Sequence, residues 1–331
     1  MIKFKTEVEL PEIKIKMGYH NHSLMIGSCF TENIGTWLHE HCLPVIVNPF
    51  GILYNPFSIA NSLELLMTRK TFTEEDLFFS NGIYNSFSHH SRFSGSDAGC
   101  VLDRMNSMAS AAYSHLVDAS HLFITFGTSW VFQHKQSGKV VSNCHKLPPS
   151  IFSHRRISVD QIIEIWIPVI EQLKMLNPKL HLIFTISPIR HLKDGAHENQ
   201  LSKSTLLIAI DSLISRFGDD LISYFPSYEI LLDELRDYRF YATDMTHPSE
   251  LAIDFIREKF VATILDTQDQ SIANEVDKLL QAVNHKPFNP HDSGYAIFFE
   301  SQIAKLNLLQ SRYPSVDFHL LSRKFDEKKI D

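Results

Sequence analysis

The sequence predicts a three-layer α/β/α sandwich built on a five-stranded parallel sheet, with a helical extension at its C-terminal end. Three observations lead there. Short apolar, β-branched runs alternate with longer segments of helical period, the pattern of strand–helix–strand crossovers. The runs are almost continuously apolar, as strands covered on both faces are. Each run also ends in small or polar residues, where open α/β sheets gather their ligands.

In chain order, residues 1–22 alternate charged with apolar side chains and read as an irregular arm with short edge strands at 2–8 and 13–15. Leu24, Met25 and Ile26 form the first core strand, which stops at Gly27 and Ser28. A helix opens there, with Ile34, Trp37, Leu38 and His41 on one face. Residues 43–47 are the second strand. Pro49, Gly51 and Pro56 then force a turn-rich loop ahead of a helix over 58–68. Asn81-Gly82 between apolar runs predicts a hairpin over 78–84. A helix over 101–118 leads to a third strand, 121–126, and to a second hairpin around Ser137 and Gly138 that runs on to Lys146. The pattern continues with a helix over 157–176, a strand over 179–186, a helix over 198–217, a strand over 221–225 and helical turns over 228–235. A loop over 237–249 precedes the last core helix, 250–266. We read 1–266 as one domain whose core begins near residue 22. Residues 267–331 read as an extension of two helices, a proline-containing turn at 286–290 and a charged tail. That extension is expected to pack on the core or to form a homodimer.

Composition narrows the function classes. A chain of 331 residues has ample length to bury a core, and a net charge of -7 leaves no basic stripe to displace counterions from a nucleic acid. Cys29, Cys42, Cys100 and Cys144 lack ligand spacing, so neither a bound metal nor a disulfide framework is expected, and no cofactor is called for. The N-terminal segment lacks the apolar core of a signal peptide, and no run is long enough to span a bilayer. A cytoplasmic location is the expectation.

The chemistry is expected at the strand ends. Ser28 stands where a strand turns into a helix, with free N–H groups beneath it to meet developing negative charge. It is the candidate nucleophile, although the local pattern alone favours a plain helix cap. Cys29 competes for the role, because a helix start favours a thiolate; its simpler reading is a small hydrophobe turned inward. Asp244 and His247 precede the last core helix, at a spacing that lets the carboxylate hold one imidazole nitrogen while the other serves as base. In a chain with 18 histidines that spacing means little alone, and its place in the topology is what counts. Arg190 and His191 after the fourth strand suit a substrate anion or sugar, or a structural ion pair. His39 and His41 diverge on a helix and make a poor metal pair. His89 and His90 either overhang the site or are solvated, and Trp130 reads as a buried core residue before it reads as a sugar platform.

Gly27-Ser28 after the first strand with Asp244 and His247 before the last helix gives a chain order that resembles the SGNH (GDSL-type) hydrolases. More closely, Gly27-Ser28-Cys29-Phe30 is similar to the signature of the GSCFA family. Segments 48–56, 126–130, 143–145, 187–191, 199–203 and 237–241 also look like that family's. The resemblance implies a flavodoxin-like strand order and a serine hydrolase or acyltransferase acting on an ester, with an O-acylated carbohydrate as one candidate. Ser28, Asp244 and His247 match the triad. The N–H groups of Ser28 and Gly51 match the oxyanion hole, where each donor is typically worth about 3 kcal/mol. The superfamily's third donor is an asparagine in Gly-x-Asn; Ser129 stands at that position here, leaving Asn143 or His145 to replace the donor. The missing asparagine also supports a second reading, a catalytically silent module that holds a glycan or envelope precursor.

Overall fold

The structure, a computed structural model, describes residues 5–288 and 293–330. In chain order its first half contains β1 (Ser23–Gly27), α1 (Cys29–Glu40), β2 (Val45–Val47), α2 (Pro56–Met67), β3 (Phe78–Ser80), β4 (Ile83–Asn85), α3 (Ala98–Asp118), β5 (His121–Phe126), β6 (Trp130–His134), β7 (Val140–Val141) and β8 (Phe152–Arg156). The second half contains α4 (Val159–Leu176), β9 (His181–Ile186), α5 (Ala196–Phe217), β10 (Ile222–Phe225), the short α6 (Ser227–Glu229), α7 (Glu250–Ile264), α8 (Thr267–Asn284), α9 (Ser293–Arg312) and α10 (His319–Ile330). Strands β2-β1-β5-β9-β10 form one parallel sheet in that spatial order, so the expected sandwich and strand order are present.

Because side chains alternate across a strand, each core strand feeds two cores. Leu24, Ile26, Ile124, Phe126 and Phe184 pack with Trp166 of α4 and Leu206 of α5 on one face. Met25, Phe123 and Ile183 pack with Ile34 of α1 and Ile256 of α7 on the other. Burial of such side chains contributes about 1.5–3 kcal/mol each, the term that holds the sheet between its helices.

The structure corrects several expectations away from the sheet. Residues 5–22 form no strand; a single bridge joins Met17 to Leu265, and the arm is held by burying Ile13, Met17 and Tyr19. Residues 2–4 of the expected first edge strand lie outside the described residues, as do residues 289–290 of the expected turn at 286–290. The second hairpin gains a third strand, β8, giving the antiparallel order β7-β6-β8. The charged tail is the helix α10, because Leu321 and Phe325 fall one turn apart and bury against the core with Leu38 and Leu43. Helices α8 to α10 thus cover the α1 side of the sheet. No helix among the described residues is long and apolar enough to cross a membrane.

Candidate active site

The site begins at the end of β1. Gly27 has a φ of 147°, and a Cβ there would lie 2.4 Å from the carbonyl oxygen of Thr125 on the neighbouring strand, so only glycine permits this turn. The turn is then locked from outside. Gly27 N–H donates to Asn48 Oδ1 at 2.8 Å, and Asn48 Nδ2 donates to Glu32 Oε2 at 2.7 Å. Arg92 closes the network by donating to Glu32 Oε1 at 2.7 Å and to the Asn48 carbonyl. Asn48 takes φ 47°, which asparagine tolerates better than most residues. Asn48→Ala is expected to cost about 2–3 kcal/mol in urea denaturation, since it strands the buried Gly27 N–H and strains a left-handed position.

Ser28 and Cys29 part company here. Ser28 is fully buried, and its Oγ accepts from Phe30 N–H at 3.3 Å as the N-cap of α1. Its hydroxyl is therefore tied down at the helix start and is not part of the cleft wall. Cys29, one residue further round the helix, is partly exposed and lines a cleft of about 480 Å³ at the carboxyl ends of β1, β5 and β9. Burial is the main cause that raises its thiol pKa. The N–H groups of Cys29 and Phe30 and the charge of Lys203 work against that rise, and Glu32 adds to it.

The loop before α7 brings its two titratable residues to the same cleft. A bridge between Tyr241 and Pro248 closes the loop. Asp244 Oδ1 accepts from the N–H groups of His247 (2.9 Å) and Thr246 (3.0 Å), while Oδ2 pairs with His247 Nδ1 at 2.5 Å. Those two N–H groups, then the imidazole, hold the Asp244 carboxyl far below the usual carboxylate range. With Nδ1 engaged, Nε2 is the imidazole nitrogen left to act, and His247 lines the same cleft as Cys29. Tyr54, Asn55, Thr128, Trp130, Asn143 and Arg190 complete much of the wall. A larger open groove of about 860 Å³ lies beside the N-terminal arm, but its Lys5, Glu234, Asp233 and Arg236 already pair with one another or with neighbours, away from the strand ends.

The model of the GSCFA family matches residues 22–260, and that of the GSCFA domain protein C-terminal domain matches residues 276–328. The chain belongs to the GSCFA family. No curated protein matches it. Among solved structures it is similar to an acetyl xylan esterase from the rumen bacterium Butyrivibrio proteoclasticus, at 12% identity and a TM-score of 0.38 over 74% of this chain; the match spans 63% of that chain's length.

In this GSCFA chain the other expected site residues divide. Gly51 N–H donates to the Asn48 carbonyl at 2.7 Å and is not free to meet an oxyanion. Ser129 is fully buried and spends its N–H and hydroxyl on Ser202 Oγ, at 2.8 and 3.1 Å. His145 is buried behind the cleft wall, with Nε2 donating to the Ser86 carbonyl at 2.8 Å, and works as a tie between loops. Asn143 does line the cleft, with Oδ1 accepting from His145 N–H at 2.8 Å. Arg190 and His191 also line it, and Arg190 Nε and His191 Nε2 are buried without a partner. Burial, then the charges of Lys203 and His247, press the His191 pKa down to about 4, so its ring is neutral. Trp130 is not a core residue: it stands in the cleft wall, its ring tilted against His154 with centroids 4.6 Å apart. His89 is in the interior, stacked on Phe50 at 4.7 Å. Among the described residues, no three His, Cys, Asp or Glu side chains group as a metal set.

Sequence reasoning passed over Lys203. It is fully buried on α5, and Nζ donates to the carbonyls of Gly127 and Ser187, both at 2.7 Å, bridging the ends of β5 and β9 beneath the cleft. The signal was available: Lys203 is in register with Asn199, Leu206, Ile210 and Leu213 on the buried stripe of α5, where an unpaired lysine is costly.

Proposed function

We propose that the protein is an acyl-transfer enzyme that cleaves an ester in this cleft, passing the acyl group to water or to a second alcohol. The observation that carries the reading is the Asp244–His247 pair, closed at 2.5 Å and set on the cleft at the carboxyl ends of the sheet. His247 Nε2 takes a proton from a nucleophile on the β1 turn and returns it to the leaving alcohol. The positive end of the α1 dipole, at Cys29 in the cleft wall, favours the charge that develops on the carbonyl oxygen. The neutral His191 ring, which lines the cleft with Nε2 unpartnered, takes over the part of the missing asparagine donor. The aromatic wall of Tyr54 and Trp130, interspersed with Asn143 and Arg190, suits an O-acylated carbohydrate as the ester. The proposed homodimer has its contact on α9, where Ile297 and Leu308 stay exposed.

A silent module holding a glycan or envelope precursor is the second reading, favoured by the commitment of Gly51 N–H and Ser129 to other partners. Incubation with chromogenic acetate and butyrate esters and with acetylated oligosaccharides separates the two. Saturable release of free acid is the expected result. Saturable oligosaccharide binding without release from any ester supports the silent module and overturns the enzyme.

A further inference from the structure

We infer that the nucleophile of this cleft is the thiol of Cys29, so that the covalent intermediate is a thioester. The inference rests on the acyl-transfer reading and names the atom that carries it.

Two nucleophilic side chains follow Gly27, and a helix start cannot present both to the same side. Successive residues rotate by about 100° around a helix axis, so adjacent side chains look in different directions. Ser28 sits outside the helix proper as the cap. Its Oγ accepts from Phe30 N–H, and its side chain has no exposed surface. Activating that hydroxyl would mean breaking the cap and turning the side chain out through the packed turn held by Asn48 and Thr125. Cys29 needs no such movement. It is the first residue of α1, it already lines the cleft, and the same cleft holds His247.

The surroundings of Cys29 also fit the task. The N–H groups of Cys29 and Phe30 favour its thiolate, and the buried ammonium of Lys203 lies on the same side. Burial outweighs them and keeps the group a thiol at rest. Such a thiol needs a base at the moment of attack, which is the part His247 is placed to play. Cys144 lines the cleft too, but it stands on a loop beyond β7, with no helix start behind it.

The steps balance without a further reagent. Cys29 Sγ attacks the acyl carbon as its proton passes to His247 Nε2. The tetrahedral oxyanion collapses, the carbon–oxygen bond to the alcohol breaks, and His247 protonates that oxygen. Water, deprotonated by His247, then attacks the thioester; acid leaves and the thiol takes the proton back. An acceptor alcohol in place of water yields a new ester.

The test uses the full chain and p-nitrophenyl acetate, with intact-mass measurement and peptide mapping after a short incubation. One acetyl group is expected on Cys29, released by neutral hydroxylamine as thioesters are. The adduct is expected to persist in Ser28→Ala and Cys144→Ala and to vanish in Cys29→Ala. In the near-isosteric Cys29→Ser, any adduct becomes an oxygen ester that neutral hydroxylamine leaves in place. Turnover and acylation that persist in Cys29→Ala overturn the assignment while leaving the acyl-transfer reading intact. A hydroxylamine-resistant adduct mapped to Ser28 does the same. Absence of both acylation and turnover in the unaltered protein, across the ester panel, overturns the acyl-transfer reading and the assignment with it.

Discussion

His247→Ala is expected to lower kcat/KM for any ester the protein turns over by about 10²–10⁴-fold, the usual contribution of a positioned general base. Most of the loss should fall on kcat, because the imidazole acts on the proton in transit and is not needed to seat the acyl group. Stability should barely change, since about half of the His247 side chain is exposed (53%) and it packs against little else. Asp244→Asn is expected to cost a comparable factor. An amide at that position can offer its NH₂ group to Nδ1 and so place the imidazole proton on the wrong nitrogen. The pH profile gives a second check. Asp244 stays ionised well into the acid range, held by the N–H groups of His247 and Thr246. Protonation of Asp244 should therefore not set the acid limb of the rate. A fall of less than about 10-fold in His247→Ala would remove this side chain from the reaction.

Lys203→Met is expected to change how stability depends on pH. Burial pushes the Lys203 pKa down from 10.5 to about 7, against the pull of Cys29 and with the help of Arg190. The folded value lies below the unfolded one, so the unfolded chain binds more protons between about pH 7 and 10.5. Stability contributed by this group consequently rises with pH through that window and is absent below it. The full rise is on the order of 5 kcal/mol. A neutral amine has two N–H donors, and Lys203 has two carbonyls to satisfy, Gly127 and Ser187. Methionine supplies neither donor, and leaving both carbonyls buried and unpaired costs about 1–3 kcal/mol each. Below pH 7 this cost is offset by removal of a buried charge; near pH 10 it is not. Urea denaturation of the two proteins at pH 6.5, 8 and about 10 should show the variant's deficit growing with pH. A deficit that is the same at every pH would mean that the amine is not titrating in the folded protein.

The residues that make the sheet were readable because their environment is set by short-range pattern. A continuous apolar run such as 121–126 has to be covered on both faces, and β5 occupies those residues. The helices α1, α4 and α5 follow from their apolar stripes, and the hairpin at Asn81-Gly82 from two residues that accept positive φ. Where the pattern was weak, expectation and structure diverged. Residues 13–15 alternate like a strand, yet they pair with no strand, so Ile13 buries on its own while Ile15 stays exposed. The charged tail hid an apolar pair one turn apart, Leu321 and Phe325, among lysines and acids that face solvent.

The site divides along a similar line. The sequence by itself determined that a glycine-bearing turn ends the first strand, that an acid and a histidine precede the last core helix, and that topology carries both to one edge of the sheet. Only the tertiary structure decided which side chain of the turn looks into the cleft. That choice depends on a cap hydrogen bond and on helix rotation, which place Ser28 inside and Cys29 at the wall. It also decided that Gly51 N–H is consumed by the Asn48 carbonyl, that Ser129 turns to Ser202, and that Lys203 reaches under the cleft to two strand ends. Each of these is a long-range competition for hydrogen bonds between groups brought together by packing. A residue's own neighbours in the chain set its secondary structure, whereas its partner in the interior is set by whatever the fold leaves within about 3 Å of it.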